Sequence, residues 1–407
     1  MISKDWIRIP IGIDASTWVS RAGCRNVLIV VHTLASAHRL LDVVGEIESD
    51  SRIQVVFTVA PDVFNHAVPQ FLAELGACVL PWSQATRHRF DLALAAANGA
   101  LHELHAPIMV MAHGAGRGKL SHPRRTGGPA LARPVVHGLD GPRLTRDGRV
   151  LAAALVLAHQ NETEILRRQC PEALEVAVLA GDPCLDRLVA SRPRRQRYRE
   201  ALGVPVGESL VVVSSTWGRD GLFGGEPDLL ARLIDQLPPG HRLAALLHPA
   251  VWGAHGRRQV LAWLRDCRDA GLILLDPTAD WRGLVVAADC LIGDHGSVTA
   301  YGAAIGCPVL YAGGPRPTVP GSAQEIVALA AGRLDPRRPL LPQVRRARPV
   351  DAEAVARALT SRPGEAGRHI RQAMYRLLRL SEPGRHRAPD PVPVPRPLDA
   401  RLLGIGA

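Results

Sequence analysis

The chain has 407 residues, 47% of them hydrophobic, with 49 Lys and Arg against 38 Asp and Glu. That length and apolar content suit two or three folded domains and exclude a mostly disordered chain. The net charge of +11 favours anionic partners. Its dense patches, Arg117–Arg125, Arg192–Arg197 and Arg337–Arg348, lack interleaved aromatics and any nucleic-acid motif, and read as solvated loops.

Seven cysteines without a C-x-x-C pair fit small buried side chains in a reducing cytosol, with no structural zinc site. Residues 1–20 lack the apolar core of a signal peptide, and no apolar run approaches the roughly 20 residues that cross a bilayer. The expectation is a cytoplasmic protein, at most peripheral to the inner face of the membrane.

Asn26–Val31 reads as a buried parallel strand, followed by a helix over Ala35–Glu48. Ile53–Val59, Ala77–Leu80, Phe90–Ala97 and Pro107–Ala112 continue as strands, with helices at Pro61–Leu75 and Ala100–Leu104. Ala152–Leu157 and Glu175–Leu179 complete a first half. Short apolar runs joined by amphipathic helices indicate βαβ units and a parallel sheet. Past Gly181-Asp182-Pro183 the composition turns to Arg and Pro, which marks a linker over 186–207.

The alternation then restarts. Strands are expected at Leu210–Val213, Arg242–Leu247, Leu272–Leu275, Cys290–Gly293 and Pro308–Tyr311. Helices are expected at Pro227–Gln236, Arg257–Cys267, Trp281–Ala288 and Val298–Ile305. Two doubly wound halves, 1–185 and 208–348, predict a ligand cleft lined by the carboxyl ends of their strands. Two helices, Asp351–Ser361 and Glu365–Leu380, fall within 349–383. The apolar face of the second, with Ile370, Met374, Leu377 and Leu378, suits packing across a domain joint or, alternatively, a membrane surface. The proline-rich stretch 384–407 predicts a disordered tail.

Four strand ends carry chemistry. Gly293-Asp294-His295-Gly296-Ser297 leads straight into a small-residue helix. The unpaired N–H groups at such a start, backed by the hydroxyls of Ser297 and Thr299, suit a phosphate; Ser297 as a plain helix cap is the alternative. Leu210–Val213 runs into Ser214-Ser215-Thr216-Trp217-Gly218-Arg219-Asp220, where hydroxyls and a guanidinium again suit an anion. A turn capped by Ser215 or Thr216, with Arg219 paired to Asp220, reads equally well. His248-Pro249 ends another strand; Pro249 is expected to bar helix continuation and aim His248 at a diphosphate oxygen.

In the first half, His113 precedes Gly114-Ala115-Gly116-Arg117-Gly118-Lys119. An imidazole with an ordinary pKa of about 6.5 is a natural base for a hydroxyl, and Arg117 or Lys119 would neutralise phosphate charge. A histidine holding a turn is the alternative. His32-Thr33, after the first strand, is a candidate acceptor contact or a simple loop. His102 and His105 lack a third metal ligand. The chain has no G-x-S-x-G elbow, no G-x-x-x-x-G-K-[ST] loop and no G-x-G-x-x-G after its first strand, which disfavours serine hydrolase, ATPase and ordinary dehydrogenase readings.

The order of these segments resembles the CDP-glycerol glycerophosphotransferase family, which builds teichoic-acid-type polymers. Gly181-Asp182-Pro183-Cys184-Leu185-Asp186-Arg187-Leu188 is similar to its Gly-x-Pro-Arg-x-Asp-x-Leu joint, and Val211–Asp220 to its strand ending in Pro-Thr-Trp-Arg-Asp. Leu247-His248-Pro249 matches its His-Pro. Ala288-Asp289-Cys290-Leu291-Ile292-Gly293-Asp294-His295-Gly296-Ser297 is similar to Ala-Asp-x-Leu-Ile-Thr-Asp-Tyr-Ser-Ser. His113-Gly114 with Lys119 is similar to His-Gly-x-x-x-Lys, the lysine falling one place later here. The likeness spans roughly 105–312. Departures are His295-Gly296-Ser297 for Tyr-Ser-Ser, Gly-Ala-Gly after His113, and Cys184 where the joint has arginine.

The resemblance implies a GT-B fold of two Rossmann-like domains facing a central cleft, no cofactor and no required metal. It implies His113 as general base, with His248, Asp294, Ser297, Thr216 and Arg219 around the phosphates of a nucleotide-diphosphate donor. Gly296, Thr299 and Ser215 join this donor set from the loop reading, and His32, Thr33, Arg117 and Lys119 form an acceptor or phosphate set. The expected reaction moves a glycerophosphate or sugar to an acceptor hydroxyl. An anionic membrane or polymer is a further expected partner, and specific nucleic acid is not. A sugar-nucleotide epimerase of the same architecture, or a non-catalytic nucleotide-binding protein, stands as the alternative.

Overall fold

The computed structural model describes residues 6–12, 15–121, 134–314, 316–384, 386 and 388–398. The chain divides into two compact units, residues 1–184 with 360–389 and residues 185–359 with 390–407.

In the first unit the strands are β1 Arg25–Val31, β2 Ile53–Val59, β3 Val79–Leu80, β4 Leu92–Ala95 and β5 Ile108–Val110. Two short antiparallel pairs follow, β6 Leu120–Ser121 with β7 Val135–Val136 and β8 Thr145–Arg146 with β9 Arg149–Val150. β10 Ala154–Leu157 and β11 Ala177–Leu179 complete a parallel sheet ordered β11-β10-β5-β4-β1-β2-β3. Val27 to Val31 are all buried, as befits a strand covered on both faces. From β1 the chain winds outward through β2 and β3, then returns to β1's other side at β4. The sheet's topological switch therefore lies between β1 and β4.

The second unit repeats the plan with β12 Ser209–Ser215, β13 His241–Leu247, β14 Ile273–Leu274, β15 Cys290–Gly293, β16 Val309–Tyr311 and β17 Gly332–Arg333. Its sheet is parallel and ordered β14-β13-β12-β15-β16-β17, with the switch between β12 and β15. The expectation of two Rossmann-like halves therefore holds.

Several local expectations change. Residues 186–201 of the expected linker are helical, in Pro183–Ser191 and Arg195–Ala201 joined by a single 3₁₀ turn, Arg192–Arg194. Arg195 and Arg199 reach Asp289, at 2.6 and 2.8 Å, and cap carbonyls of the helix Arg282–Ala287, while Arg192, Arg194 and Arg197 are exposed as expected. Ala100–Leu104 is one 3₁₀ turn, Leu101–Glu103. The helix Gln160–Gln169 has no counterpart in the sequence reading. With only Ile165 and Leu166 as buried apolar residues, its pattern is too polar to signal one.

The C-terminal helices belong to different units. Ala352–Leu359 lies in the second, whereas Ala366–Leu378 places Ile370, Met374 and Leu378 in the first unit's core with Val43 and Ile47. That face is filled by protein, which removes the membrane-surface alternative.

Residues 388–398 are not a disordered tail. Tyr198 donates to the Val392 carbonyl at 2.8 Å, the Val392 N–H to Ser191 Oγ at 2.9 Å and the Leu398 N–H to the Leu274 carbonyl at 2.7 Å. Prolines at 391, 393, 395 and 397 leave alternate N–H groups free, and an extended edge segment needs only every second one. Residues 399–407 lie outside the described residues.

Candidate functional site

Each sheet brings its chemistry to the carboxyl edge beside its switch point. In the first unit, register pairs Val30 with Ala95 and Ala95 with Val110, so the loops after β1, β4 and β5 lie side by side. His113 follows β5, and its Nδ1 lies 2.9 Å from the Ala96 carbonyl oxygen. A carbonyl only accepts, so Nδ1 carries the proton and Nε2 keeps its lone pair. Solvent reaches the side chain, but protein crowds it on its other sides. That loss of bulk water pushes its pKa below the ordinary value. The charges of Arg39 and Arg117 and the nearby His32 add to the shift, while the Ala96 bond opposes it. The imidazole is thus neutral at pH 7, with Nε2 ready to accept a proton.

The glycine loop beside it is fixed from below. Buried Arg39 pairs with buried Asp182 at 3.0 Å and donates to the Gly114 carbonyl at 3.1 Å. Sequence reasoning missed Arg39, although a signal existed: it stands on the same helix face as Ser36, Leu40 and Val43. Arg39→Ala strands the Asp182 charge and is expected to destabilise the fold by about 3–5 kcal/mol, read as a fall in urea midpoint.

The other first-unit candidates take structural places. His32 is fully buried and donates from Nε2 to the Gly99 carbonyl at 2.7 Å, so it is no surface contact for an acceptor. Thr33 caps the helix Leu34–Val44, accepting from the Ser36 N–H while the Ser36 hydroxyl returns a bond to the Thr33 N–H. Arg117 turns inward, donating to the Gly138 carbonyl at 2.8 Å, and its Nε and Nη2 are shielded from solvent. Of the two expected phosphate cations only Lys119 is exposed.

Burial also sets an acid limit. His32, His88, His113 and His137 all have lowered pKa values, His137 to about 4, each chiefly by desolvation. Their unfolded value is about 6.5, so below it the unfolded chain binds more protons than the folded one. Stability is full above pH 6.5 and is expected to fall as the pH drops toward 5. Urea midpoints at pH 7.5 and 5.5 test the sign.

In the second unit, pairing of Ser215 with Leu247 and of Ser214 with Gly293 brings together the loops after β12, β13 and β15. Asp294, 1% exposed, organises them. Its Oδ2 accepts the Thr216 N–H (2.7 Å), the Thr216 hydroxyl (2.8 Å) and the Leu222 N–H (2.9 Å), and its Oδ1 accepts the Gly296 N–H at 3.0 Å. This corrects its expected place against phosphate: it is a buried acceptor tying two loops together. Ser215 is likewise turned inward, donating to the Thr216 carbonyl and accepting the Phe223 N–H. The Thr299 hydroxyl is buried as well.

What faces outward is the helix start. Helix Ser297–Ala304 has Gly296 as its N-cap, with no side-chain cap and no acidic residue in its first turn. Gly296 fits because a Cβ there would lie 2.7 Å from Thr216 Cγ2. Half-buried Ser297 and Thr216 flank it, and Arg219 is exposed on the adjoining loop. Asp220 pairs with Arg316, not with Arg219. Pro249 opens the helix Pro249–His255 instead of barring one, since a first-turn proline forfeits no bond. His248 caps that helix, its Nδ1 accepting the Ala250 N–H at 3.1 Å, which leaves the proton of the neutral ring on Nε2. Among the described residues no cluster of three or more His, Cys, Asp or Glu could hold a metal, and no helix is long and apolar enough to cross a membrane.

Solved structures share this fold. A variant of the wall teichoic acid polymerase TagF soaked with CDPG aligns at TM-score 0.56 and 13% identity, covering 87% of this chain and 88% of that one. A further TagF structure gives 0.54 at 14%, covering 87% and 89%. UDP-GlcNAc 2-epimerase from Neisseria meningitidis, bound to UDP-GlcNAc, gives 0.54 at 13%, covering 87% and 100%. The fold is GT-B. No family profile and no curated protein matches the sequence.

Proposed function

We propose that this chain is a GT-B transferase whose second unit holds a nucleotide-diphosphate donor and whose first unit supplies His113 as general base. The observation that carries this reading is the start of helix Ser297–Ala304 at the β12/β15 switch, with no side-chain cap from Gly296 and no acidic residue in its first turn. The N-terminal end of that helix and its dipole favour a diphosphate, and His248, Ser297 and Arg219 lie on the strand-end loops around it. The resemblance to the CDP-glycerol glycerophosphotransferases and the CDPG and UDP-GlcNAc named with two structural neighbours support a nucleotide-activated substrate.

With CDP-glycerol, the acceptor oxygen attacks the β-phosphorus, its proton passes to His113 Nε2, and CMP departs as the phosphoanhydride bond breaks. With a nucleotide sugar, attack falls on the anomeric carbon and the nucleoside diphosphate departs. In both, the helix start and His248 stabilise charge that grows on the leaving phosphate. The likeness to an epimerase keeps a second reading open, distinguished by nucleotide chemistry that needs no acceptor.

A thermal-shift screen against CMP, CDP, UDP, GDP and TDP derivatives tests the proposal. One base is expected to stabilise the wild type, by about 2.7 kcal/mol at 100 times its Kd, and not His248→Ala. If none shifts the wild type, the transferase reading loses its donor site.

A further inference from the structure

The loop leaving β4 is gripped at both ends by imidazoles. His113 Nδ1–H holds the Ala96 carbonyl at 2.9 Å and His32 Nε2–H holds the Gly99 carbonyl at 2.7 Å. His32 is itself seated by the Ser36 hydroxyl, which accepts its backbone N–H at 3.1 Å. The fit is close, since a Cβ on Gly99 would lie 3.3 Å from His32 Cδ2. The next residue, Ala100, sits at φ 57°, ψ 8°, a left-handed conformation that is strained for a non-glycine residue. A strained residue persists where its surroundings over-determine it, and here the surroundings are the grip on Gly99.

We infer that His32 is a positioning residue: by clamping the Gly99 carbonyl it presents the Ala96 carbonyl to His113 and so holds that ring as its Nδ1–H tautomer. The consequence is chemical. A neutral imidazole in water favours the Nε2–H form, whose Nε2 accepts no proton from a substrate. Only the Nδ1–H form leaves Nε2 free to act as a base. His32 meets no substrate in this scheme and acts through four residues of backbone. Its burial keeps it neutral, as a single-proton donor to Gly99 requires.

The inference rests on the reading of His113 as a base only for its functional meaning, because the tautomer can be observed without substrate. The test is nitrogen-15 spectroscopy of the full chain labelled in histidine, with His113→Ala assigning the signal. The wild type is expected to show His113 protonated at Nδ1 alone. His32→Phe, which fills the space without a donor, should lose that signature and show Nε2 protonation. His32→Gln, whose amide can still donate to Gly99, should restore it. Should the Phe variant fail to fold, Gly99→Ala crowds the same contact and should disturb the His113 signal likewise. An unchanged His113 tautomer in a folded His32→Phe or Gly99→Ala chain overturns the inference. Absence of nucleotide binding would instead remove the transferase reading and leave the tautomer result standing.

Discussion

His113→Ala is expected to lower acceptor-dependent nucleotide release by roughly 100- to 10,000-fold, the span typical of a lost general base. Donor affinity should hardly change, because the proposed diphosphate contacts all belong to the second unit. The split follows from the geometry. Nδ1 is committed to the Ala96 carbonyl, so Nε2 is the only atom of the ring that can take the acceptor's proton. A pKa below the ordinary histidine value keeps it unprotonated at neutral pH, and the acid limb of kcat/KM should therefore lie below about pH 6.5. Because solvent reaches the side chain, free imidazole should restore part of the lost rate in the alanine variant. Acceptor-dependent turnover that survives the substitution undiminished would show that His113 is not the base, whereas wild-type nucleotide binding by calorimetry with no turnover would leave a binding protein as the better account.

Asp294→Ala should be the most damaging change in the second unit. The carboxylate accepts from four donors, two on Thr216 and one each on Leu222 and Gly296. Each buried donor left unmade costs about 1–3 kcal/mol, so even with water repairing some, a loss of at least about 3 kcal/mol is expected. Asp294→Asn should also be poor, since its NH₂ would face N–H groups across one side of the site. The effect on binding follows from the same bonds. They hold Gly296 against Thr216 and so set the position of the helix start at 297. Urea unfolding and nucleotide titration together are decisive: a variant that folds like wild type and binds as tightly would show that the loops need no such tie.

The two histidines illustrate how far a linear pattern carries. A strand followed by His-Gly or His-Pro was enough to put His113 and His248 at carboxyl strand ends, because strand direction and loop position are local properties. Their tautomers were not legible, since each depends on a partner the strand pattern cannot specify: the Ala96 carbonyl from another strand and the Ala250 N–H of an unexpected helix. Asp294 shows the opposite failure. Its place in an anion-friendly loop was legible, but its lone pairs are spent on backbone N–H groups that reach it through β12–β15 pairing. His32 and Arg39 were hidden for a related reason, as both are polar groups whose partners lie 67 and 143 residues away.

The proline-rich end marks the limit of composition as a guide. Alternating prolines predict an unpaired chain, yet Val392 and Leu398 each keep an N–H that finds a partner in the second unit. Local sequence alone determined the alternation of buried strands and amphipathic helices, and with it the two Rossmann-like units, because those patterns depend on periodicities of two and 3.6 residues. Tertiary structure decided which polar groups remain available to a ligand. That choice is made by long-range hydrogen bonds, which consume Asp294 and His32.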